Sequence, residues 1–221
     1  MSDDFAYYAY LFACLLGYGL GATPFGLILT RLFGGVDIRT IGSGNIGATN
    51  VLRTGRKELA LATLLLDGGK GGIAVLLTSS LTQPEIGAVA GLAAVVGHCF
   101  PIWLRFRGGK GVATAIATLC AIDLTTGLFM IGCWLIIAFL FRISSLAAIL
   151  GFCGAMGYGY LYAGLSDMQL WVTGAISVLS ILRHHENIKR LIKGEESRIS
   201  FRKNLKKILF HLRKIKPLCL C

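Results

Sequence analysis

Three short stretches of this chain mix glycine with cations, amides and histidine, and they hold most of its chemically useful side chains. The first is Gly42-Ser43-Gly44-Asn45-Ile46-Gly47-Ala48-Thr49-Asn50-Val51-Leu52-Arg53. Small residues permit close backbone approach, so successive N–H groups could face a phosphate in a nest. Ser43, Asn45, Thr49 and Asn50 add short polar groups at little rotamer cost, and Arg53, one helical turn beyond Asn50, could clamp an anion with paired bonds. Glycines alone would read as a membrane turn; in this company they read as an anion site built from Ser43, Asn45, Gly47, Asn50 and Arg53. No Gly-Lys-Ser/Thr follows, so this is not a nucleotide P-loop.

The second stretch is Arg105-Phe106-Arg107-Gly108-Gly109-Lys110-Gly111, preceded by Gly97-His98-Cys99-Phe100-Pro101. Gly108, Gly109 and Gly111 around Lys110, at the mouth of a helix, offer backbone N–H groups and a flexible cation together. A basic interfacial stop anchored by Trp103 is the plainer reading, but it does not call for three glycines around one lysine. His98, beside a proline, is equally readable as a packing residue. The third stretch is Arg183-His184-His185-Glu186-Asn187-Ile188-Lys189-Arg190, running on to Glu196. In a helix, Arg183, His184, Asn187 and Arg190 share a face through three- and four-residue spacings. Adjacent His184 and His185 diverge on a helix, so metal binding is not expected.

The elements that position these stretches follow from composition. Of 221 residues, 55% are hydrophobic and only 15% charged, against about 25% charged in soluble domains; mean hydropathy is +0.70. So little charge cannot cover a soluble core, which excludes most soluble enzymes and nucleic-acid modules and places the chain among all-α polytopic membrane proteins. At ~20 apolar residues per span there is room for about seven helices. They are drawn at Phe5–Phe33, Glu58–Leu81, Ile86–Leu104, Val112–Ile122, Thr126–Phe141, Ser145–Leu165 and Met168–Leu182. The fourth is short and forms a hairpin with the fifth around Asp123-Leu124-Thr125. Gly151, Gly154, Gly157 and Gly159 crowd the sixth, and small residues suit close helix packing in lipid. The N-terminal run has no basic flank and is expected to be a retained first span rather than a signal peptide.

Basic residues outnumber acidic ones, 22 to 11, a formal charge of +11. With the N-terminus outside and seven crossings, the outer segments hold Asp3, Asp4, Glu85, Asp123 and Asp167, while every Lys and Arg except Lys70 falls on the inner side. Positive charge marks the cytoplasmic face, so N-out, C-in is expected. All three polar stretches then land on that face. Asp67 and Lys70 lie inside the second span, where an unpaired charge costs about 2.5–3.5 kcal/mol on the insertion scale; their i, i+3 spacing permits mutual pairing, and a polar strut beside the anion site is the alternative. Residues 1–196 read as one integral-membrane domain. Residues 197–221, with eight Lys/Arg and no acid, read as a basic amphipathic tail on anionic lipid. Five of the seven cysteines lie in or beside apolar runs, and they read as buried free thiols.

These blocks resemble the bacterial acyl-phosphate:glycerol-3-phosphate acyltransferase family, the PlsY family, through GSGNIGATNVLRTGRK, LLDGGKG, GHCFPIWLRFRGGKGVAT and RHHENIKRLIKGEE in that order. The resemblance spans residues 5–196; the basic tail looks longer than the family usually has. It implies a multi-pass protein of the bacterial inner membrane with its active site toward the cytoplasm. It further implies transfer of a fatty acyl group from acyl phosphate to the C1 hydroxyl of sn-glycerol 3-phosphate, giving lysophosphatidic acid, with neither cofactor nor metal and with no nucleic acid as partner. Ser43 and Arg53 match the first motif, Gly108, Gly109, Lys110 and Gly111 the second, and His184 and Asn187 the third.

Two phosphorylated substrates must overcome dianion repulsion, and convergent cations and N–H groups would do that while holding hydroxyl near carbonyl. The donor is a mixed anhydride with a good leaving group, and no Ser-His-Asp set is evident. Direct attack without an acyl-enzyme is therefore expected, with a donor phosphate oxygen or His184 taking the proton. Ser43, Lys110 and Asn187 would bind donor phosphate and the developing oxyanion; Arg53 and His184, beside Arg183, would hold glycerol 3-phosphate. Ser43 as covalent nucleophile is the rival chemistry, and a transporter for a phosphorylated solute the rival class. Transporters place their site near the midplane, whereas these motifs cluster on one face.

Overall fold

Apolar segments in lipid must satisfy their backbone hydrogen bonds internally, and this chain does so with helices alone. The computed structural model describes residues 3–199, among which ten α-helices form. They are α1 Asp3–Gly21, α2 Phe25–Gly34, α3 Ala48–Val51, α4 Lys57–Leu81, α5 Pro84–Cys99, α6 Val112–Ile122, α7 Leu124–Phe141, α8 Ser144–Leu161, α9 Asp167–Leu182 and α10 His185–Ile192. The amphipathic tail expected from residue 197 lies, from residue 200 on, outside the described residues.

Five stretches are long and apolar enough to cross a membrane: Asp4–Gly34, Lys57–Leu81, Pro84–Leu104, Leu124–Phe141 and Ser144–Leu161. The other two expected spans are shorter. At ~1.5 Å per residue, the 11 residues of α6 reach about half of a ~30 Å hydrocarbon core, and the 16 residues of α9 most of it. The expected α6–α7 hairpin forms; Asp123 caps α7 by accepting from the Thr126 N–H at 2.6 Å.

The first segment is not one helix. Pro24 has no N–H and disfavours helix at Thr23, so α1 stops and α2 restarts. The carbonyls this exposes are met by distant side chains: Trp103 Nε1 donates to Ala22 O at 2.6 Å and Lys70 Nζ to Thr23 O at 2.9 Å. Sequence proximity could not show either partner.

The closest packing is also not where the glycines crowd. Gly17 and Gly21 of α1 lie flat on the carbonyls of Ala90 and Ala94 of α5, where any side chain would collide. Small-residue faces of this kind let membrane helices approach when burial supplies little drive. Along α8, Gly157 faces nothing within 4 Å and Gly151 has only ordinary contact with Met130. The apolar core gathers Val95, Cys99, Leu119, Met130, Phe152 and Ile176 from α5 to α9. A separate cluster of Leu27, Ile38, Ile46, Val51 and Leu59 fastens the first polar loop to α2 and α4. Among the described residues the five cysteines are free thiols; Cys99 is buried, but Cys14 and Cys153 face outward rather than into the core.

Candidate active site

Loop 34–57 enters through an ion-paired turn. Asp37 caps the 3-10 turn Ile38–Thr40 and pairs with Arg39 at 2.6 Å and Arg31 at 2.7 Å. Arg39 first, then Arg31, hold its carboxyl well below the usual range. Asn50, expected to touch substrate, is instead the loop's internal tie. It is 2% exposed; its Nδ2 faces the carbonyls of Ile38, Ile41 and Asn45 at 2.8–3.0 Å, and its Oδ1 accepts from Ser43 N at 3.2 Å. The Gly47 N–H is likewise engaged, by Asn45 Oδ1 at 3.2 Å. Both residues thus shape the loop from within. Gly42, at φ +56, turns the chain so that Arg53 folds over it, 2.8 Å from where a Cβ would stand. Ser43 is exposed and its Oγ has no hydrogen-bond partner among the described residues.

The second loop is held from both sides. Gly108 N–H donates to Cys99 O at 3.1 Å and Gly109 N–H to His98 O at 3.0 Å. Arg183 returns from α9 and donates to the carbonyls of Gly109 and Gly108, each at 3.1 Å, with its guanidinium 5.0 Å from the Phe100 ring centroid. Arg183, expected to bind substrate, therefore joins the second and third stretches to each other. Gly108 cannot carry a side chain, because a Cβ would strike the His98 carbonyl. Gly111, at φ +79, turns the chain into α6 without a side-chain cap. Lys110 between them has no hydrogen-bond partner among the described residues. Burial pushes its ammonium down to about 8, opposed by Glu196 and reinforced by Arg190, Arg53 and Arg183.

The third stretch turns inward at His184, which is 2% exposed, and Asn187, 4% exposed. His184 Nδ1 lies 2.7 Å from Ser180 O; the carbonyl can only accept, so Nδ1 carries the proton and Nε2 keeps its lone pair. Burial, together with Lys110 and Arg183, lowers the imidazole to about 4, so it is neutral at pH 7. His185 points outward and pairs with Glu186 at 3.2 Å, so the adjacent histidines do diverge.

One residue that escaped the sequence reading organises this region. Glu196 accepts from Ser145 Oγ at 2.9 Å, Asn187 Nδ2 at 2.7 Å and Arg190 Nε at 2.6 Å. Burial alone would raise its carboxyl, but the bonds from Asn187, Arg190 and Ser145 hold it below the ordinary value. Its neighbour Ser197 receives Arg53 Nη2 at 2.9 Å, which brings the first stretch to the third. In Gly-Glu-Glu the sequence shows only a charged turn. Because Nδ2 of Asn187 is turned to Glu196, its Oδ1 faces the other way, buried and without a partner among the described residues. That atom is an acceptor, which repels a phosphate oxygen and suits a hydroxyl.

Lys110 thus lies within electrostatic reach of three other cations, Arg53, Arg183 and Arg190, and of one carboxylate, Glu196. Uncommitted polar atoms remain at Ser43 Oγ, Lys110 Nζ, His184 Nε2 and Asn187 Oδ1. Such a constellation can bind anions, orient a hydroxyl and stabilise charge developing on oxygen. Apart from it, an open, mainly apolar groove of about 360 Å³ runs along the α1–α2 break, lined by Pro24, Leu27, Ile28, Trp103 and Leu104 with Arg31.

Comparison with known proteins agrees along nearly the whole chain. The family model described as Glycerol-3-phosphate acyltransferase matches residues 11–194. A glycerol-3-phosphate acyltransferase of Paramagnetospirillum magneticum is 57% identical over 86% of this chain and 94% of its own. That of Rhodospirillum rubrum is 53% identical, covering 86% and 90%. Among solved structures, the glycerol 3-phosphate form of PlsY, an integral membrane glycerol 3-phosphate acyltransferase, superposes with TM-score 0.84 at 37% identity, covering 89% of this chain and 98% of that one. Its lysophosphatidic acid form superposes with TM-score 0.80.

Proposed function

Because the chain belongs to the glycerol-3-phosphate acyltransferase family, PlsY type, we propose that it moves a fatty acyl group from acyl phosphate to the C1 hydroxyl of sn-glycerol 3-phosphate. The observation that carries this is the convergence of Lys110, His184 and Asn187 with Arg53 through Glu196 and Ser197. The hydroxyl oxygen attacks the acyl carbonyl, the bond from that carbon to the phosphate oxygen breaks, and lysophosphatidic acid and inorganic phosphate leave. Lys110 and Ser43 meet the donor phosphate and the developing oxyanion. Arg53 holds the phosphate of the acceptor, and Asn187 Oδ1 with His184 Nε2 accepts from its glycerol hydroxyl.

The proton goes to the departing phosphate. Burial makes the His184 imidazole a weak base, whereas the departing phosphate gains basicity as its bond to the acyl carbon breaks. His184 therefore aims the hydroxyl rather than keeping its proton. The donor's chain lies among the spans, with the groove beside Trp103 its natural bed. With seven crossings, the distribution of Lys and Arg supports an N-terminus outside and a site toward the cytoplasm, and the family's bacterial members support a bacterial inner membrane.

The test is purified protein in detergent with acyl phosphate and labelled glycerol 3-phosphate. Lysophosphatidate must form without a closed compartment; solute movement into liposomes with no product would mean a transporter. Arg53→Ala is expected to raise KM for glycerol 3-phosphate about 10- to 100-fold, as loss of a charged hydrogen bond implies, with kcat less affected. In a rapid quench no acyl group should appear on Ser43; trapping one would replace direct transfer with a two-step route.

A further inference from the structure

Resting on that reading, we propose that Lys70, acting through His98, is a positioning residue that sets the Gly108–Gly111 loop for catalysis. The ammonium is 3% exposed and its three hydrogens meet three acceptors: Asp67 Oδ1 at 3.0 Å, Thr23 O at 2.9 Å and His98 Nδ1 at 2.9 Å. Each acceptor belongs to a different part of the fold. Thr23 sits at the break in the first span, Asp67 on α4, and His98 in the last turn of α5. Since Nδ1 of His98 accepts, its proton resides on Nε2, and that edge of the ring lies against Gly109 where a Cβ would stand.

The loop hangs from His98 and its neighbour Cys99. His98 O and Cys99 O hold the N–H groups of Gly109 and Gly108. At the loop's far end, Thr114 Oγ1 in the first turn of α6 donates to Asp67 O at 2.7 Å. Residues 67, 70 and 98 thus fix both the departure and the landing of the segment that carries Lys110. Simple packing would be served as well by apolar side chains, since a buried ion pair brings little net stability. A polar hub that reaches both ends of one loop is what placement of Lys110 requires.

The test uses the full-length enzyme in detergent with His98→Leu and His98→Asn. Asparagine puts its Oδ1 where Nδ1 stood and keeps the bond from Lys70; leucine cannot. H98L should lower kcat/KM about 100-fold, the scale of a 1 Å misplacement, and H98N should recover at least about tenfold of that. Activity of H98L within about threefold of wild type, or H98N no better than H98L, overturns the proposal. Should H98L fail to fold, the double variant D67L/K70M, which leaves no lone buried charge, decides by amide exchange without substrate. Faster exchange across 108–111 with α8 unchanged supports the hub, and unchanged loop exchange overturns it. Failure of the functional reading would show separately, as wild-type enzyme that forms no lysophosphatidate.

Discussion

Lys110→Ala should lower kcat/KM by about 10²–10³-fold, equivalent to ~2.7–4 kcal/mol of transition-state stabilisation. The ammonium is half-buried, engages no hydrogen-bond acceptor among the described residues, and faces Arg53, Arg183 and Arg190 with only Glu196 of opposite sign. A cation kept in such company is stabilised when a dianion arrives, and most when charge migrates to the leaving phosphate. The pH profile follows with a definite sign. Lys110 is charged below about 8 and neutral above it, so kcat/KM, which reports the free enzyme, should fall on the alkaline side with an apparent pKa of about 8. His184, neutral above about 4, contributes no limb in the neutral range. Lys110→Arg keeps its proton at any working pH and should flatten the alkaline limb while losing some activity to altered reach. An alkaline limb unchanged in K110R would show that another group titrates there.

How far the chain can be read without its structure depends on where each polar atom points. Ser43, Lys110, His184 and Asn187 stand out because polar residues among glycines are conspicuous in an apolar chain, and their atoms remain uncommitted. Asn45, Gly47, Asn50 and Arg183 are just as conspicuous. Yet Asn50 binds its own loop and Arg183 the glycine carbonyls. Residue type cannot separate an amide that greets a ligand from one that braces a turn. The pairing of Asp67 with Lys70 is readable from i, i+3 spacing. Its extension to His98 and Thr23 joins positions 28 and 47 residues away from Lys70, which only tertiary packing determines. The helix inventory is equally mixed. Long apolar runs declare themselves, whereas the break at Pro24 lies inside a run that still averages as apolar over a span's length.

The proposed pair of phosphorylated substrates would explain why such a site belongs at one end of the bundle. A phosphate cannot enter hydrocarbon at acceptable cost, and an acyl chain cannot leave it. A donor carrying both therefore straddles the boundary, and its scissile carbonyl comes to rest at head-group depth. Polar loops at helix ends are the only part of an all-helical membrane protein that can meet it there. Lys110 and the arginines around it lie in such loops or in the short helices that border them, and the proposed ligands would bring the negative charge that balances them.

Glu196→Ala should be the most damaging substitution outside the uncommitted quartet. The carboxylate side chain is 7% exposed and receives three hydrogen bonds, one from Ser145 of α8 and two from Asn187 and Arg190 of α10. Removing it frees the Asn187 amide to rotate, strands the half-buried Arg190 and loosens the segment whose Ser197 receives Arg53. Arg190 is 39% exposed, so the loss of its partner is largely screened. The stranded Asn187 and Ser145 donors cost about 1–3 kcal/mol, so Tm should fall by roughly 2–12 °C at the ~2–4 °C per kcal/mol expected of a chain this size. Activity should fall further than stability explains, by about 10²-fold in kcat/KM, because Asn187 Oδ1 no longer faces the hydroxyl. Glu196→Gln still accepts from Asn187 and Ser145, so it should keep much of kcat while losing part of the Tm. The linkage also has a sign. The folded carboxyl titrates below its unfolded value, so its contribution to stability is complete above the ordinary glutamate range and disappears as pH falls through the folded value. Wild type should therefore lose its Tm advantage over E196Q in acid. If E196A instead kept wild-type kcat/KM at a temperature where it is folded, Asn187 would not need aiming, and the hydroxyl would have to be oriented by His184 alone.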